Sequence, residues 1–234
     1  MLRYRPYAQL PSGDLGWLKA RHHFRVDGIP DPVHAPIKSL FVWNDDRFAA
    51  ASGFPMHSHR DVEILTYVRS GSVTHQDILG NMSELRQGDV QVMTAGTGIR
   101  HSEFNRGPEA LQLFQIWFVP SRKGCAPAYA MRRFPDRSDC GNWVVLASGL
   151  PEADDSEHLS MAAPARVLGC QIASEQRVTY AIRDRHDLYV VLSRGEVLVN
   201  GLRLGQGDGV AVSDEAELRF EALSEADVVV AELA

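Results

Sequence analysis

Two short motifs hold the residues of this chain whose types and spacing could bind a metal ion. The first places His57 and His59 two residues apart, and the second places His101 and Glu103 at the same spacing. On a strand, residues i and i+2 point to the same face. Two such pairs on neighbouring strands would offer three imidazole nitrogens and one carboxylate oxygen to a single ion.

This donor set suits a divalent transition metal. Imidazole is a good ligand for zinc, copper, iron and nickel, and the added carboxylate favours iron or a similar divalent ion. Four protein ligands leave about two positions open on a six-coordinate ion, whereas a closed tetrahedral site is typical of structural zinc. We therefore expect iron(II), with nickel, cobalt, manganese, copper or zinc as alternatives, in a site open to chemistry.

The spacing leaves the carboxylate ligand open between two residues. Glu63 has the same strand parity as His57 and His59, so it competes with Glu103 for this role. A single His-x-His or His-x-Glu motif is a weak signal, because surface histidines are common. Two motifs beside glycine-rich turns are much less easily explained by chance, and we interpret them as one site.

The chain around these motifs alternates apolar and polar residues in short runs that are separated by Gly, Pro, Asn and Asp, a pattern that predicts β-strands. A turn is predicted at Asn44-Asp45-Asp46, and Asn200-Gly201 is a strong signal for a hairpin. The predicted strands cover residues 37–43, 62–69, 72–79, 90–94, 111–119, 165–173, 178–182, 188–192 and 228–233, with a hairpin over 197–204.

The two halves of the chain repeat the same order of features. Each half has a strand, a glycine turn, a hairpin and then a Gln-Gly-Asp turn, at 87–89 in the first half and at 206–208 in the second. Such internal similarity indicates a duplicated unit. We therefore predict an all-β fold of two tandem antiparallel β-barrels.

The predicted domains are a metal-binding barrel over 1–120, a connector over 121–140 and a second barrel over 141–234. We expect one helical turn near 128–132, a solvated loop around Arg132 and Arg133, and an acidic loop at 154–157 with a helical turn nearby. The second half has only two histidines, His158 and His186, and no His-x-His pair. It is therefore predicted to hold no metal.

Composition narrows the class of partners and the compartment. The formal net charge of −6 and the pI of about 5.8 argue against an extended nucleic-acid surface, which needs clustered Lys and Arg. No stretch approaches the roughly 20 apolar residues of a membrane span, and we recognise no signal peptide. Three cysteines without a Cys-x-x-Cys pair indicate a reducing compartment. We therefore expect a cytoplasmic protein that binds neither membrane nor nucleic acid.

Several segments carry a resemblance to a known family. Both motifs resemble those of the cupin superfamily, although Gly53 lies closer to His57 than is usual there. The runs HSHRDVEILTYVRSG, QGDVQVMTAGTGIRHSEFN and GWLKARHHF resemble the pirin family more narrowly, and RGEVLVNGLRLGQGDGVAVSDE resembles that family's second barrel. The family usually has one His followed by Thr where this chain has His22 and His23. The matching cupin positions are Gly53, His57, His59, Glu63 and Gly71 in the first motif, and Gly88, Gly98, His101 and Asn105 in the second.

The resemblance implies a bicupin fold and assigns roles that the spacing leaves open. It implies that Glu103 is the carboxylate ligand, which makes Glu63 a candidate to orient an imidazole from behind. Outside the motifs, we expect His75 to be a surface or edge residue of a hairpin, and Phe114 and Trp117 to be core residues. At least one of His22 and His23 is expected to be structural.

The resemblance also implies a function. Pirins resemble flavonol dioxygenases, several with quercetinase-like activity, so the implied reactants are a small aromatic, flavonol-like substrate and dioxygen. Glu103 would take the substrate proton, after which dioxygen opens the heterocyclic ring and carbon monoxide leaves. The alternative is a non-enzymatic iron-binding regulator that binds a transcription factor or a metabolic enzyme. A third interpretation is a metal-storing or vestigial cupin.

Overall fold

The computed structural model describes residues 1–24, 31–134, 140–151 and 158–234. Within these ranges the chain is almost entirely β-structure, with one 3₁₀ turn at Tyr7–Gln9. No helix in this part of the chain could cross a lipid bilayer. The strands are β1 (Leu2–Arg5), β2 (Ser12–Asp14), β3 (Leu18–His22), β4 (Leu40–Phe48), β5 (Ser52–His59), β6 (Glu63–Ser70), β7 (Ser72–Asp77), β8 (Met82–Arg86), β9 (Asp89–Thr94), β10 (Ile99–Asn105), β11 (Leu111–Phe118), β12 (Ala128–Arg133), β13 (Val144–Ser148), β14 (Leu159–Ser160), β15 (Ala165–Ile172), β16 (Arg177–Ala181), β17 (Asp187–Arg194), β18 (Glu196–Val199), β19 (Leu202–Gly205), β20 (Gly209–Val212), β21 (Glu217–Ala222) and β22 (Ala226–Leu233).

The strands belong to two compact units. The first barrel comprises Pro11–Phe134 with Leu159–Ala163, and the second barrel comprises Met1–Leu10, Pro135–His158 and Pro164–Ala234. Strand β1 is in the second barrel because it pairs with β20. These compact units divide the chain at different places from the domain boundaries predicted from the sequence, which are 1–120, 121–140 and 141–234. Those boundaries remain a prediction.

The first barrel consists of two antiparallel sheets. The larger has seven strands in the order β12-β9-β6-β11-β4-β3-β2, and the smaller has four in the order β5-β10-β7-β8. Strand β11 is central in the larger sheet and is nearly all buried. Its side chains Leu111 and Leu113 pack in one apolar cluster with Val68, Val73 and Leu85, where burial of apolar surface is the main stabilising term.

The second barrel repeats the arrangement with a more apolar interior. Its larger sheet contains β1, β20, β17, β22, β15 and β13 in that order, and its smaller sheet has the order β16-β21-β18-β19. The hairpin between β18 and β19 turns at Asn200 and Gly201, whose φ angles are 46° and 83°. Two successive positive φ values are what a type I′ turn requires, so the hairpin predicted from Asn-Gly is confirmed.

The predicted all-β class and the cupin-type architecture of two tandem barrels are confirmed, but two local predictions are wrong. Residues 44–46 do not form a turn: they lie inside β4, between β11 and β3. Asp45 forms a buried ion pair with Arg69 at 2.6 Å, and burial raises the pKa of Asp46 well above its ordinary value, which favours the neutral form of that carboxyl.

The second wrong prediction concerns 128–132, where no helical turn forms because β12 pairs with β9. Arg132 and Arg133 therefore lie on a strand and not in a loop. The acidic loop predicted at 154–157, with its nearby helical turn, lies outside the described residues.

Candidate metal centre

The small sheet of the first barrel brings the two motifs together. Strands β5 and β10 pair antiparallel, with His57 directly opposite His101, and the register shifts between His101 and Glu103. On the other side of β10, strand β7 places His75 opposite Glu103. The two motifs, about forty residues apart in the sequence, thus become neighbours across one ladder.

Three imidazoles converge at this point. The ring centroids of His57 and His59 are 4.8 Å apart, those of His57 and His101 are 4.4 Å apart, and those of His59 and His101 are 5.0 Å apart. One ring nitrogen from each lies within 4.8 Å of the others. The Nδ1 of His57 donates to the Pro55 carbonyl at 2.8 Å, which leaves its Nε2 lone pair free in the neutral ring.

The protonation states of these rings fit a metal site. Burial lowers the pKa of His59 to about 4, with a further contribution from His57. Burial also lowers the pKa of His101 to about 2, with contributions from the neighbouring imidazoles. Both rings are therefore neutral at neutral pH, and neutral imidazole is the form that binds metals.

An orphaned nitrogen supplies a direct test of fit. The Nε2 of His101 is buried and has no hydrogen-bond partner within the described residues. Buried polar atoms in proteins nearly always have a partner, so such an exception calls for an explanation. A buried lone pair beside two other imidazoles suits a divalent cation, and the residues present therefore fit a metal ion.

Glu103 lies completely buried behind these rings in a network of amide donors. Its Oε1 accepts from Gln91 Nε2 at 2.8 Å, and its Oε2 accepts from Gln115 Nε2 at 2.5 Å. The indole of Trp117 donates to Gln115 Oε1 at 3.0 Å and so orients that amide. Burial raises the pKa of Glu103 above its ordinary value.

The carboxylate of Glu103 groups with a different pair of rings from the three above. Its oxygen lies within 4.8 Å of nitrogens of both His101 and His75. His101 is therefore shared between two groups, one with His57 and His59 and the other with His75 and Glu103. Both groups lie in the first barrel. Among the described residues, they are the two groups of His, Cys, Asp or Glu side chains whose ligand atoms lie close enough together to hold one metal ion.

Glu63 does not have the position expected of it. Its carboxylate is buried, and its Oε2 accepts from Thr94 Oγ1 at 2.8 Å and from the Ala162 amide at 3.0 Å. Burial raises its pKa, and these two bonds act in the opposite direction. The expectation that Glu63 orients an imidazole is wrong, because its partners are a hydroxyl and a backbone amide.

His75 is the residue that sequence reasoning missed. It was expected at the surface or at a sheet edge, but it is fully buried, on a strand with β10 on one side and β8 on the other. Its ring stacks on Tyr129, with centroids 4.3 Å apart. The signal was the period of two in β7, where Val73, His75 and Asp77 all point inward.

The aromatic residues divide between core and site. Phe114 is fully buried, as expected of a core residue, and His23 is buried too, which confirms that at least one of the paired histidines is structural. Trp117 is only half-buried, and its ring meets the ring of His59 edge to face at 5.0 Å. The expectation that Trp117 is a core residue is therefore only partly right, since it also lines the site.

Comparisons with known proteins agree with this architecture. The Pirin family model matches residues 4–118, and a model described as the quercetinase C-terminal cupin domain matches residues 143–233. A pirin-like protein of Caulobacter vibrioides is 44% identical over 234 residues and is covered, like this chain, over 100% of its length. A quercetin 2,3-dioxygenase of Escherichia coli is 36% identical over 219 residues, which cover 93% of this chain and 92% of that protein.

A solved structure supports the same conclusion. The bacterial pirin YhhW from Escherichia coli, in complex with nickel(II), superimposes with a TM-score of 0.91 at 33% identity, covering 100% of this chain and 99% of that one. The nickel(II) ion was found in the structure of YhhW, and this is a statement about that protein. With two family models and full-length relatives in agreement, this chain belongs to the pirin family of the cupin superfamily.

Proposed function

We propose that this protein is a metal-dependent dioxygenase that cleaves a flavonol with dioxygen, in the manner of a quercetin 2,3-dioxygenase. Its metal ligands would be His57, His59, His101 and Glu103, and its preferred ion would be iron(II). The observation that carries the proposal is the convergence of the imidazoles of His57, His59 and His101, together with the buried Nε2 of His101, which has no hydrogen-bond partner among the described residues. The names of its relatives, among them the quercetin 2,3-dioxygenase of Escherichia coli, support the reaction class.

The ion, when bound, supplies a Lewis acid and a template for the oxygen that the substrate exposes on deprotonation. The protein supplies the shape of the site. His57 and His59 are half-exposed, whereas His101 and Glu103 are buried. The substrate therefore approaches from the side of β5.

Two aromatic rings flank this open side. Phe54 lies against His57 with ring centroids 5.7 Å apart, and Trp117 lies against His59 at 5.0 Å. Flat apolar walls of this kind suit a flat aromatic ligand. We propose that these two rings contact the substrate.

Glu103 is the proposed catalytic base. A general base works best when its pKa is close to the working pH, and burial shifts the pKa of this carboxyl in that direction. The amides of Gln91 and Gln115 fix both of its oxygens. Glu103 would therefore take the substrate proton from a fixed position instead of swinging through solvent.

The decisive experiment measures flavonol loss and carbon monoxide together. Protein loaded with iron(II), and separately with each alternative metal, is incubated with quercetin under air, beside metal-free protein and an anaerobic sample. We expect turnover only with metal and dioxygen, and its loss in a His57→Ala/His59→Ala variant. The matched control is His22→Asn, which removes a histidine that bonds to Asn44 and should keep full activity.

Equal rates in the loaded, metal-free and anaerobic samples would overturn the enzymatic proposal. The iron-binding regulator would then be the function to test, by capture of a protein partner with loaded and metal-free chain. If metal-dependent cleavage occurs with other small aromatic substrates but not with quercetin, the reaction class holds and the flavonol assignment fails.

The proposed compartment is the cytoplasm. Cys125 and Cys170 are free thiols, and free thiols are typical of a reducing compartment. Fractionation of the producing cells, followed by detection of the chain, tests this. Recovery in an oxidising compartment would contradict it.

A further inference from the structure

Behind His101, away from the other two rings, lies a chain of three buried polar side chains. The Nδ1 of His101 faces the Nδ1 of His75 at 3.5 Å, and the Nε2 of His75 faces Asp77 Oδ2 at 3.3 Å. His75 is fully buried, and Asp77 and His101 are nearly so. Because no bulk water reaches these atoms, the direction of each hydrogen bond is set by the partners alone.

Asp77 sets the direction at one end of this chain. Its Oδ1 accepts from the backbone amides of Leu79 at 2.9 Å and Asn81 at 3.1 Å. Its Oδ2 accepts from Asn81 Nδ2 at 2.8 Å. Burial alone would raise the pKa of Asp77, but the hydrogen bonds that it accepts lower it. The side chain is therefore a carboxylate, which can only accept.

The hydrogen-bond direction set by Asp77 determines the tautomer of His75, and His75 in turn determines that of His101. Since Asp77 accepts, the Nε2 of His75 must carry the hydrogen, and a neutral His75 then has a lone pair on Nδ1. That lone pair faces His101 Nδ1, so the stable arrangement is for His101 to carry its hydrogen on Nδ1 and donate it. The lone pair of His101 is then on Nε2, the buried nitrogen that has no hydrogen-bond partner among the described residues.

We propose that Asp77 and His75 are positioning residues that hold His101 as its Nδ1–H tautomer and so present the Nε2 lone pair to the metal. This inference rests on the metal site of the proposed function. The stacking of His75 on Tyr129, with ring planes 15° apart, fixes the plane of the relaying imidazole. Partners of this kind typically change metal affinity by about 10–100-fold.

The substitution Asp77→Asn is expected to reverse the chain. Two backbone donors face Oδ1, so the amide oxygen must take that place and the NH2 group must face His75. His75 Nε2 then has to accept, its hydrogen moves to Nδ1, and His101 is left with its hydrogen on Nε2. The lone pair that the metal needs is thereby lost from the cleft.

The test reads the tautomer directly in the metal-free protein. Protein labelled with ¹⁵N in histidine is studied by long-range nitrogen–proton NMR correlation, which distinguishes a ring nitrogen that bears hydrogen from one that bears a lone pair. We expect His101 to carry hydrogen on Nδ1 in the parent chain and on Nε2 in Asp77→Asn. The affinity for nickel(II), as the probe metal, should fall about 10–100-fold in the variant.

Two further comparisons separate positioning from structure. Asp89→Asn removes a buried carboxylate that accepts from the Arg86 amide at 2.8 Å, away from the imidazoles, and should change neither the tautomer nor the affinity. His75→Gln can still donate to Asp77 and accept from His101, whereas His75→Phe keeps a ring against Tyr129 without either bond. We expect His75→Gln to bind nickel(II) more tightly than His75→Phe.

The outcomes are distinct. If His101 keeps its hydrogen on Nδ1 in Asp77→Asn, or if His75→Phe binds as tightly as the parent chain, the inference is overturned. If Asp77→Asn does not fold, the comparison of nickel(II) affinity between His75→Gln and His75→Phe decides alone. If every His75 variant loses the ion completely while the His101 tautomer is unchanged, His75 is itself a ligand and the inference also fails. Failure of the proposed metal site would show differently, as unchanged nickel(II) binding in His57→Ala/His59→Ala.

Discussion

The small sheets of the two barrels share a strand order but bury opposite chemistry. In β5-β10-β7-β8 and in β16-β21-β18-β19, equivalent strands occupy equivalent places. The inward residues of the first include imidazoles and carboxylates beside apolar side chains such as Val73 and Ile99, whereas those of the second are apolar and fill its core. In the second sheet they are Val178, Tyr180, Val197, Val199, Leu218 and Phe220. The same strand order can thus hold either a site or a core, depending on which side chains point inward.

The backbones of the equivalent strand pairs also differ. Strands β16 and β21 pair without interruption from Arg177 to Ala181, whereas β5 and β10 shift register between His101 and Glu103. A β-bulge re-aims the side chains that follow it. The irregularity that is absent from the β16–β21 pair lies, in the first barrel, between two proposed ligands.

The largest effect should come from removing the histidines of β5. His57→Ala/His59→Ala is expected to lower bound metal from about one ion per chain to almost none, because two of the three converging imidazoles are lost. Elemental analysis of purified protein measures the ratio. A parent ratio near two ions per chain would break the comparison, since the second barrel would then also hold a metal.

The two candidate carboxylates should separate clearly. Glu103→Gln must turn an amide NH2 toward the donor amide of Gln91 or Gln115, so we expect metal affinity to fall by about 100-fold or more. Glu63→Gln touches no imidazole and should stay within about tenfold of the parent. Titration with a competing chelator measures both. A larger loss in Glu63→Gln would reverse the assignment of the carboxylate.

Truncating a side chain should lower the unfolding free energy more in the apolar core of the second barrel than in the metal centre of the first. Phe220→Ala empties part of a packed interior and should cost about 3–5 kcal/mol of unfolding free energy. His101→Ala should cost the metal-free protein less, because imidazole is smaller and more polar than the phenyl ring of Phe220, so less buried apolar surface is lost, and the Nδ1 contact of His101 with His75 is long at 3.5 Å. Urea unfolding of metal-free variants gives both values. Equal losses would mean that the first barrel is as tightly packed around His101 as the second is around Phe220.

A single added methyl group should disturb the pair of strands that carries the site. A Cβ at Gly53 would lie 2.2 Å from the Glu103 carbonyl oxygen and 2.6 Å from Phe104 Cα. Gly53→Ala should therefore cost about 1–3 kcal/mol and weaken metal binding, since β5 must move away from β10. Gly205→Ala is the matched control, because its Cβ would meet Asp208 Oδ2 at an ordinary 3.6 Å. If both variants keep the parent stability and affinity, the close approach is unimportant.

The smallest expected effect is on the pH dependence of stability without metal. The pKa of His101 is lowered from 6.5 to about 2, so below about pH 6.5 the unfolded chain binds a proton that the folded chain does not. The stability contributed by the neutral ring is therefore present above pH 6.5 and is lost progressively as the pH falls toward 2.

The variant His101→Asn tests this sign. Its unfolding free energy should fall less steeply than that of the parent chain between pH 6.5 and 4, because one proton-linked group has been removed. Buried carboxyls with raised pKa values act in the opposite direction, but they are present in both proteins and largely cancel in the difference. Parallel pH profiles from urea unfolding would contradict the lowered pKa of His101.

Patterns that depend on near neighbours in the sequence proved reliable. Strand β11 and the Asn200-Gly201 hairpin follow from a period of two and from local turn chemistry, both of which a short segment carries by itself. The Asn44-Asp45-Asp46 prediction failed because a polar run resembles a turn unless its charges are paired from elsewhere. The partner of Asp45 is Arg69, on another strand, and no local rule identifies such a pair.

By itself, the sequence determined the all-β class, the tandem barrels and the imidazoles around which a site could form, because spacing of two on a strand fixes which side chains share a face. Only the tertiary structure decided what surrounds them. It placed His75 behind His101, tied Glu63 to Thr94 and Ala162, and enclosed Glu103 among amides. These relations join strands that are distant along the chain, and register and packing, which no single strand specifies, determine them.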